Sequence, residues 1–195
     1  MSEFNPLDYS KMAVSKTSID GLFKVNLVVF GDNRGWFKEN YHQKKMEKLG
    51  LPHFEPIQNN FSFNQEVGVT RGLHAEPWDK FISVSNGRVL GAWVDLRPGK
   101  NFGQSLTIEI NPGVAVYVPR GVANGYQTLE PNVTYTYLVN DYWSENSKYT
   151  YLNLFDKDLA IDWPIKQDKA IVSDKDKLCP SINELKTKLN QNGSL

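Results

Sequence analysis

Residues 68–87 read GVTRGLHAEPWDKFISVSNG, and residues 113–124 read GVAVYVPRGVAN. In the first, Gly68 is followed by five residues and His74, then Glu76, Lys80 and Gly87; in the second, Gly113 leads through five residues to Pro119, then Gly121 and Asn124. The apolar runs between these glycines are β-branched and aromatic, so they suit strands. Asn86-Gly87 carries the signal of a tight hairpin turn. The chemistry-bearing residues are one imidazole, one carboxylate, one ammonium and one amide. A divalent first-row metal wants imidazole and carboxylate donors that converge. A lysine ammonium has no lone pair to give and repels a cation. The whole chain holds three histidines, His42, His53 and His74, and one of them lies here. These residues argue against a His-rich metal site, so the expectation is no metal and no cofactor. An imidazole beside an ammonium suits proton transfer next to an anion.

The spacing resembles the paired hairpins of a cupin barrel, G-x5-H-x-H-x3-E-x6-G and G-x5-P-x-G-x2-H, with three of the four ligands replaced. The rest of the chain fits that shape. Short apolar runs are expected as strands at 21–30, 55–63, 80–85, 88–95, 105–110, 115–118, 133–139 and 149–154, with turn residues such as Gly31-Asp32-Asn33, Pro98-Gly99 and Asn111-Pro112-Gly113 between them. Arg34 to Glu39 starts a further strand, Gln43 to Leu49 reads as a short helix, and 172–176 reads as a polar segment. Ser181 and Glu184 have capping-box spacing, which predicts a helix over 181–190. The fold class expected is all-β: a cupin-type jelly-roll barrel with short peripheral helices, a C-terminal helix and an irregular arm over about 1–20, all one domain across 1–195.

Lys plus Arg and Asp plus Glu are 22 each, so no net field draws the chain to nucleic acid or anionic membrane. The single Cys179 makes no internal disulfide. No apolar h-region or membrane-length run is present, so the expectation is a cytoplasmic chain with neither a nucleic-acid nor a membrane partner.

Several landmarks occur in order: Asp32-x-Arg34-Gly35 with Phe37-x-Glu39, Gln58-x-Asn60, Arg71-Gly72-Leu73-His74, Lys80, Pro119-x-Gly121-x-Ala123-x-Gly125, Tyr137, and Ile161-Asp162-Trp163-Pro164. On these the chain resembles the dTDP-4-dehydrorhamnose 3,5-epimerase family over roughly 20–180. The resemblance implies metal-free inversion of C3 and C5 of a 4-keto-6-deoxyhexose carried on thymidine diphosphate. Both carbons flank the C4 ketone, so loss of either proton gives an enolate. That chemistry needs a base on one face, an acid on the other, and positive charge at the ketone oxygen.

His74 matches the family's base, and Asp176 the carboxylate that orients it, with Asp174 two residues away as the alternative. Tyr137 matches the acid. Tyr135 shares its face by period two, so alternation alone does not separate them. Lys80 matches the group that holds the enolate oxygen. Arg71 and Arg34 match diphosphate and sugar contacts, Gln58 and Asn60 nucleotide contacts, and Lys175 a further diphosphate contact. Trp143 stands where the family has a tyrosine near thymine. Phe37 and Glu39 match residues that reach the neighbouring subunit's site, which implies a homodimer. Two departures stand out: Asn124 replaces the family's usual histidine, and Ala75-Glu76-Pro77 replaces an aromatic and glutamine after the motif histidine. Both bear on substrate preference. Other readings of the same residues are an epimerase acting at one carbon or on another nucleotide-linked ketosugar, a metal-dependent cupin oxygenase, and a non-catalytic sugar-binding cupin.

Overall fold

The computed structural model describes residues 12–142, 144 and 147–191. In chain order the elements are β1 Ala13–Lys16, β2 Phe23–Asn26, β3 Val29–Asp32, β4 Gly35–Lys38, α1 Gln43–Lys48, β5 Gln58–Asn64, β6 Thr70–Ala75, β7 Lys80–Asn86, β8 Val89–Asp95, β9 Ser105–Ile110, β10 Val114–Val118, β11 Val122–Thr128, β12 Val133–Val139, β13 Thr150–Tyr151, α2 Asp174–Lys177 and α3 Ile182–Gln191. One sheet runs β1-β2-β10-β7-β12-β5, a second runs β13-β6-β11-β8-β9, and β3-β4 form a separate hairpin. Every pairing between these strands is antiparallel.

The two large sheets form the jelly-roll expected from the strand pattern, and alternation sorts their side chains. Ile82 and Val84 of β7, Trp93 of β8, Val116 of β10, Tyr126 of β11 and Tyr135 of β12 build the layer between the sheets. The outward neighbours of these residues are buried too. Phe81 and Tyr117 meet Met46 of α1 with Leu51 and Phe54 on one side. Leu73, Ala92 and Ala123 meet Leu152, Leu154, Trp163 and Ile182 on the other. Each large apolar side chain so buried contributes about 1.5–3 kcal/mol against conformational entropy. Strands β7, β8 and β10 read as near-continuous apolar runs because both of their faces are buried, whereas β5 alternates and leaves Phe61 and Phe63 exposed.

The structure corrects several expectations. Asn86-Gly87 is not a hairpin turn, because β7 and β8 belong to different sheets. Gly87, at φ 77°, instead turns the chain across the sandwich under Val133. The single strand expected over 21–30 is two: Leu27 is buried against the α1 side and donates its N–H to the Gly113 carbonyl at 2.8 Å. Gly31 and Asp32 extend β3, and the turn falls on Asn33-Arg34. The strand expected over 149–154 contracts to Thr150–Tyr151, and the polar segment at 172–176 runs into α2, capped by Ser173, whose side chain accepts from the Asp176 N–H. Strands β6 and β11 were not expected as strands, although they carry much of the polar cavity described next.

Candidate active site

Four strands bring polar side chains to one end of the layer between the sheets. Residues β6 His74 and β11 Asn124 come from one sheet, and β7 Lys80 and β12 Tyr137 from the other. With Arg71, Glu76 and Tyr135 they line a cavity of about 210 Å³. Two glycines set its floor. A Cβ on Gly72 would sit 2.6 Å from the Gly125 Cα, and one on Gly125 would sit 2.8 Å from the Arg71 carbonyl oxygen. The β6–β11 register shifts between Asn124 and Tyr126 at this point, and His74 stays opposite Asn124.

His74 is half-buried, and its Nε2 lies 2.8 Å from Asp176 Oδ1. The carboxylate comes from α2, packed against β6, and is itself buried. Between the sequence alternatives the geometry is unequal, because the Asp174 side chain is exposed and pairs with Lys177 at 3.0 Å. Burial works to raise the Asp176 carboxyl. The hydrogen bond and charge of His74, with bonds from Ser173 and the Gly72 backbone, outweigh it and hold the carboxyl below its ordinary value. An acceptor-only carboxylate on Nε2 keeps a proton on that nitrogen, which leaves the Nδ1 lone pair free to act as a base. The Tyr151 ring packs edge-on to the imidazole with centroids 5.1 Å apart.

Tyr135 and Tyr137, inseparable by alternation, have different surroundings. Tyr135 is buried and stacks on Tyr126 at 4.0 Å. Tyr137 is half-buried, and Lys80 Nζ stands 4.7 Å over its ring. Burial, then the nearby Glu76 charge, raises the Tyr137 phenol, so it keeps its proton well above neutral pH. Lys80 is not a surface lysine. It is buried, donates to the Glu76 carboxylate, and lies 3.5 Å from Asn124 Oδ1. Asn124 Nδ2 in turn donates to the His74 carbonyl at 2.8 Å and to Glu76 Oε2 at 3.0 Å. Among the described residues no group of three or more His, Cys, Asp or Glu side chains converges as metal ligands.

The remaining sequence candidates sit at different distances from this centre. Arg71 lines the cavity and donates to Asn64 Oδ1 at 3.0 Å. Asn60 and Gln58 lie across the β5–β12 register from Tyr137 and Val139, and are joined to each other at 2.8 Å. Lys175 Nζ sits 4.4 Å over the Tyr151 ring and 3.0 Å from its hydroxyl, next to the dyad. Arg34, Phe37 and Glu39 are not among the residues lining the cavity. Arg34 is paired with Asp32 at the hairpin tip, Phe37 is 68% exposed on β4, and Glu39 is paired with Lys45 at 2.8 Å. Trp143 lies outside the described residues. Tyr151 was not among the sequence candidates for site roles; Glu76, in the sequence a departure beside the base, pairs with Lys80 four residues on.

A protein-family model described as dTDP-4-dehydrorhamnose 3,5-epimerase matches residues 16–184. The RmlC homologue of Streptococcus pyogenes is 49% identical over 175 residues, covering 86% of this chain and 88% of that protein. The dTDP-4-dehydrorhamnose 3,5-epimerase of Shigella flexneri is 33% identical, covering 85% of this chain and 93% of its own length. Among solved structures, RmlC from Streptococcus suis in complex with dTDP-D-xylose superposes with a TM-score of 0.85 at 46% identity, covering 89% of this chain and 93% of that one. The Legionella pneumophila RmlC in complex with dTDP-4-keto-L-rhamnose gives 0.82 at 31% identity, covering 92% and 97%.

Proposed function

The chain belongs to the dTDP-4-dehydrorhamnose 3,5-epimerase family, and from that premise we propose that its cavity inverts C3 and C5 of dTDP-4-dehydro-6-deoxy-D-glucose to give dTDP-4-dehydro-L-rhamnose, in dTDP-L-rhamnose biosynthesis. The observation that carries the reading is one cavity lined by an imidazole backed by a buried carboxylate, a protonated phenol, and an ammonium.

His74 takes the proton from a carbon next to the C4 ketone, and Asp176 stabilises the imidazolium that results. The electron pair moves onto the ketone oxygen, where the Lys80 ammonium meets the developing charge. Tyr137 then returns a proton to the opposite face of the carbon. A phenol suits that role because an enolate carbon is a strong base, and the raised Tyr137 keeps its proton until the carbanion demands it. The same cycle serves each carbon flanking the ketone, once exchange with solvent has taken the proton from His74 and returned one to Tyr137. No step calls on a metal, and an ammonium inside the donor set opposes cation binding.

The carrier is held by Arg71, Gln58, Asn60, Lys175 and Trp143, with arginine's fork on the diphosphate, while Asn124, whose amide is taken up by Glu76 and the His74 carbonyl, borders the sugar. Phe37 and Glu39 reach the pocket of a second copy, and Arg34, the diphosphate and sugar contact on the same hairpin, goes with them, so the working unit is a homodimer, placed in the cytoplasm. The exposed Phe30, Trp36 and Phe37 of the β3–β4 hairpin support that assignment. Among the described residues no helix is long and apolar enough to cross a membrane.

Substrate turned over in D2O tests the reaction. Deuterium is expected at both C3 and C5 by NMR, and His74→Ala is expected to lose exchange at both carbons while binding thymidine diphosphate like the parent. Exchange at one carbon alone would reduce the enzyme to a single-site epimerase. Turnover unaffected by His74→Ala would remove the base.

A further inference from the structure

Glu76 is a buried carboxylate in the cavity to which the reaction above gives no part. A charge placed there without a partner is costly, and truncating one side of a buried pair is costlier still. Its surroundings are ordered in a specific way. One carboxylate oxygen takes the Lys80 ammonium, and the other takes Asn124 Nδ2 at 3.0 Å. The Asn124 amide is oriented twice, because Nδ2 also bonds the His74 carbonyl at 2.8 Å. That orientation turns Oδ1 toward Lys80 Nζ, at 3.5 Å.

An ammonium has three N–H donors. Glu76 engages one, Asn124 faces a second, and the third is left on the side of the Tyr137 ring, 4.7 Å away, where the cavity lies. We infer that Glu76, with Asn124, is a positioning residue that fixes two protons of Lys80 so that the third meets the ketone oxygen of the substrate. The inference rests on the reading of Lys80 as the group that holds the enolate oxygen. It also joins the two sequence departures into one device. Residues 76 and 124 are hydrogen-bonded to each other, so a change at either alone leaves a polar group unmatched.

Steady-state kinetics of Glu76→Gln, Lys80→Met, and the double variant test it, with Lys80→Gln carried in parallel because Lys80→Met leaves a carboxylate buried and unpaired. Glu76→Gln is expected to lower kcat about 10- to 100-fold, since small displacements of a catalytic group cost that much, with KM and the thymidine diphosphate Kd moving less than about threefold. With Lys80 replaced by Met or Gln, adding Glu76→Gln is expected to change kcat less than about threefold. A parental kcat in Glu76→Gln, a loss confined to KM, or losses that multiply in the double variant would each overturn the inference. Parental turnover in Lys80→Met and Lys80→Gln would instead overturn the reading of Lys80 itself. Collapse of those variants beside an unaffected Glu76→Gln would remove Glu76 alone.

Discussion

Replacing Asp176 with asparagine keeps the size of the side chain and removes its charge. In the folded chain this carboxylate sits 2.8 Å from His74 Nε2. Two unit charges about 4 Å apart, at an effective dielectric of about 20, attract by about 4 kcal/mol. The His74 side chain is 30% exposed, so water screens part of that interaction. Taking about half leaves about 2 kcal/mol for the imidazolium formed on proton abstraction, or roughly 30-fold in rate. An asparagine that offers its N–H2 to Nε2 adds a further loss by holding the ring in the wrong tautomer. The total expected for Asp176→Asn is on the order of 10²-fold in kcat, with KM nearly unchanged. Deuterium exchange at C3 and C5, followed alongside net turnover, reads the abstraction step directly and should fall in proportion. Asp174→Asn is the control, because that side chain is exposed and faces Lys177. A kcat for Asp176→Asn within threefold of the parent, or an equal loss in Asp174→Asn, would refute the reasoning. The same pair makes a statement about acid stability. Asp176 is held below its ordinary value, so its stabilisation is complete above the unfolded value near 4 and is lost as pH falls through the folded one.

Tyr137→Phe should slow net inversion by about 10²-fold or more while deuterium still enters from the base's side; a variant at parental rate would end the acid assignment. Gly125→Ala places a Cβ 2.8 Å from the Arg71 carbonyl and 3.0 Å from Leu73 Cδ2, so a loss of about 1–3 kcal/mol in urea melts is expected. Parental stability there would mean that β6 and β11 can part without cost. Lys38 donates to the Val84 carbonyl at 2.7 Å and the Pro112 carbonyl at 3.1 Å, and burial brings its ammonium down to about 8. Between that pH and the unfolded value near 10.4 the unfolded chain binds more protons, so stability contributed at this site rises with pH. The parent should therefore gain in urea midpoint on Lys38→Met from pH 7.5 to 9.5, and a constant difference would contradict the burial argument.

Much of this architecture is written in local sequence. Strands 80–86, 89–95, 105–110 and 133–139 are β-branched or aromatic runs between turn residues, and the fold keeps them. Strands β6 and β11 were illegible because Arg71, Gly72, Asn124 and Gly125 lack strand propensity; tertiary pairing, with two backbones touching at glycine, makes them strands. Asn86-Gly87 has hairpin chemistry, but β7 and β8 pair in different sheets, so the chain crosses the sandwich there instead. At the site, His74 and Lys80 stood out by residue type and spacing. The choice of Asp176 over Asp174 depends on which side of a one-turn helix meets β6, and no local pattern reports that. Tyr137 and Tyr135 share a periodicity, and only their tertiary surroundings distinguish them: Tyr135 stacks on Tyr126, and Lys80 stands over Tyr137.

The imidazole and its carboxylate are 102 residues apart in the chain. The segment between them also supplies Leu152, Leu154 and Trp163 to the outer cover of the sheet that carries His74. A nascent chain can therefore close both sheets and fill the space between them while still lacking its basic dyad. Competence for proton abstraction arrives when the tail docks. Lesions in that apolar cover, far from any sugar, should idle the enzyme before they unfold it.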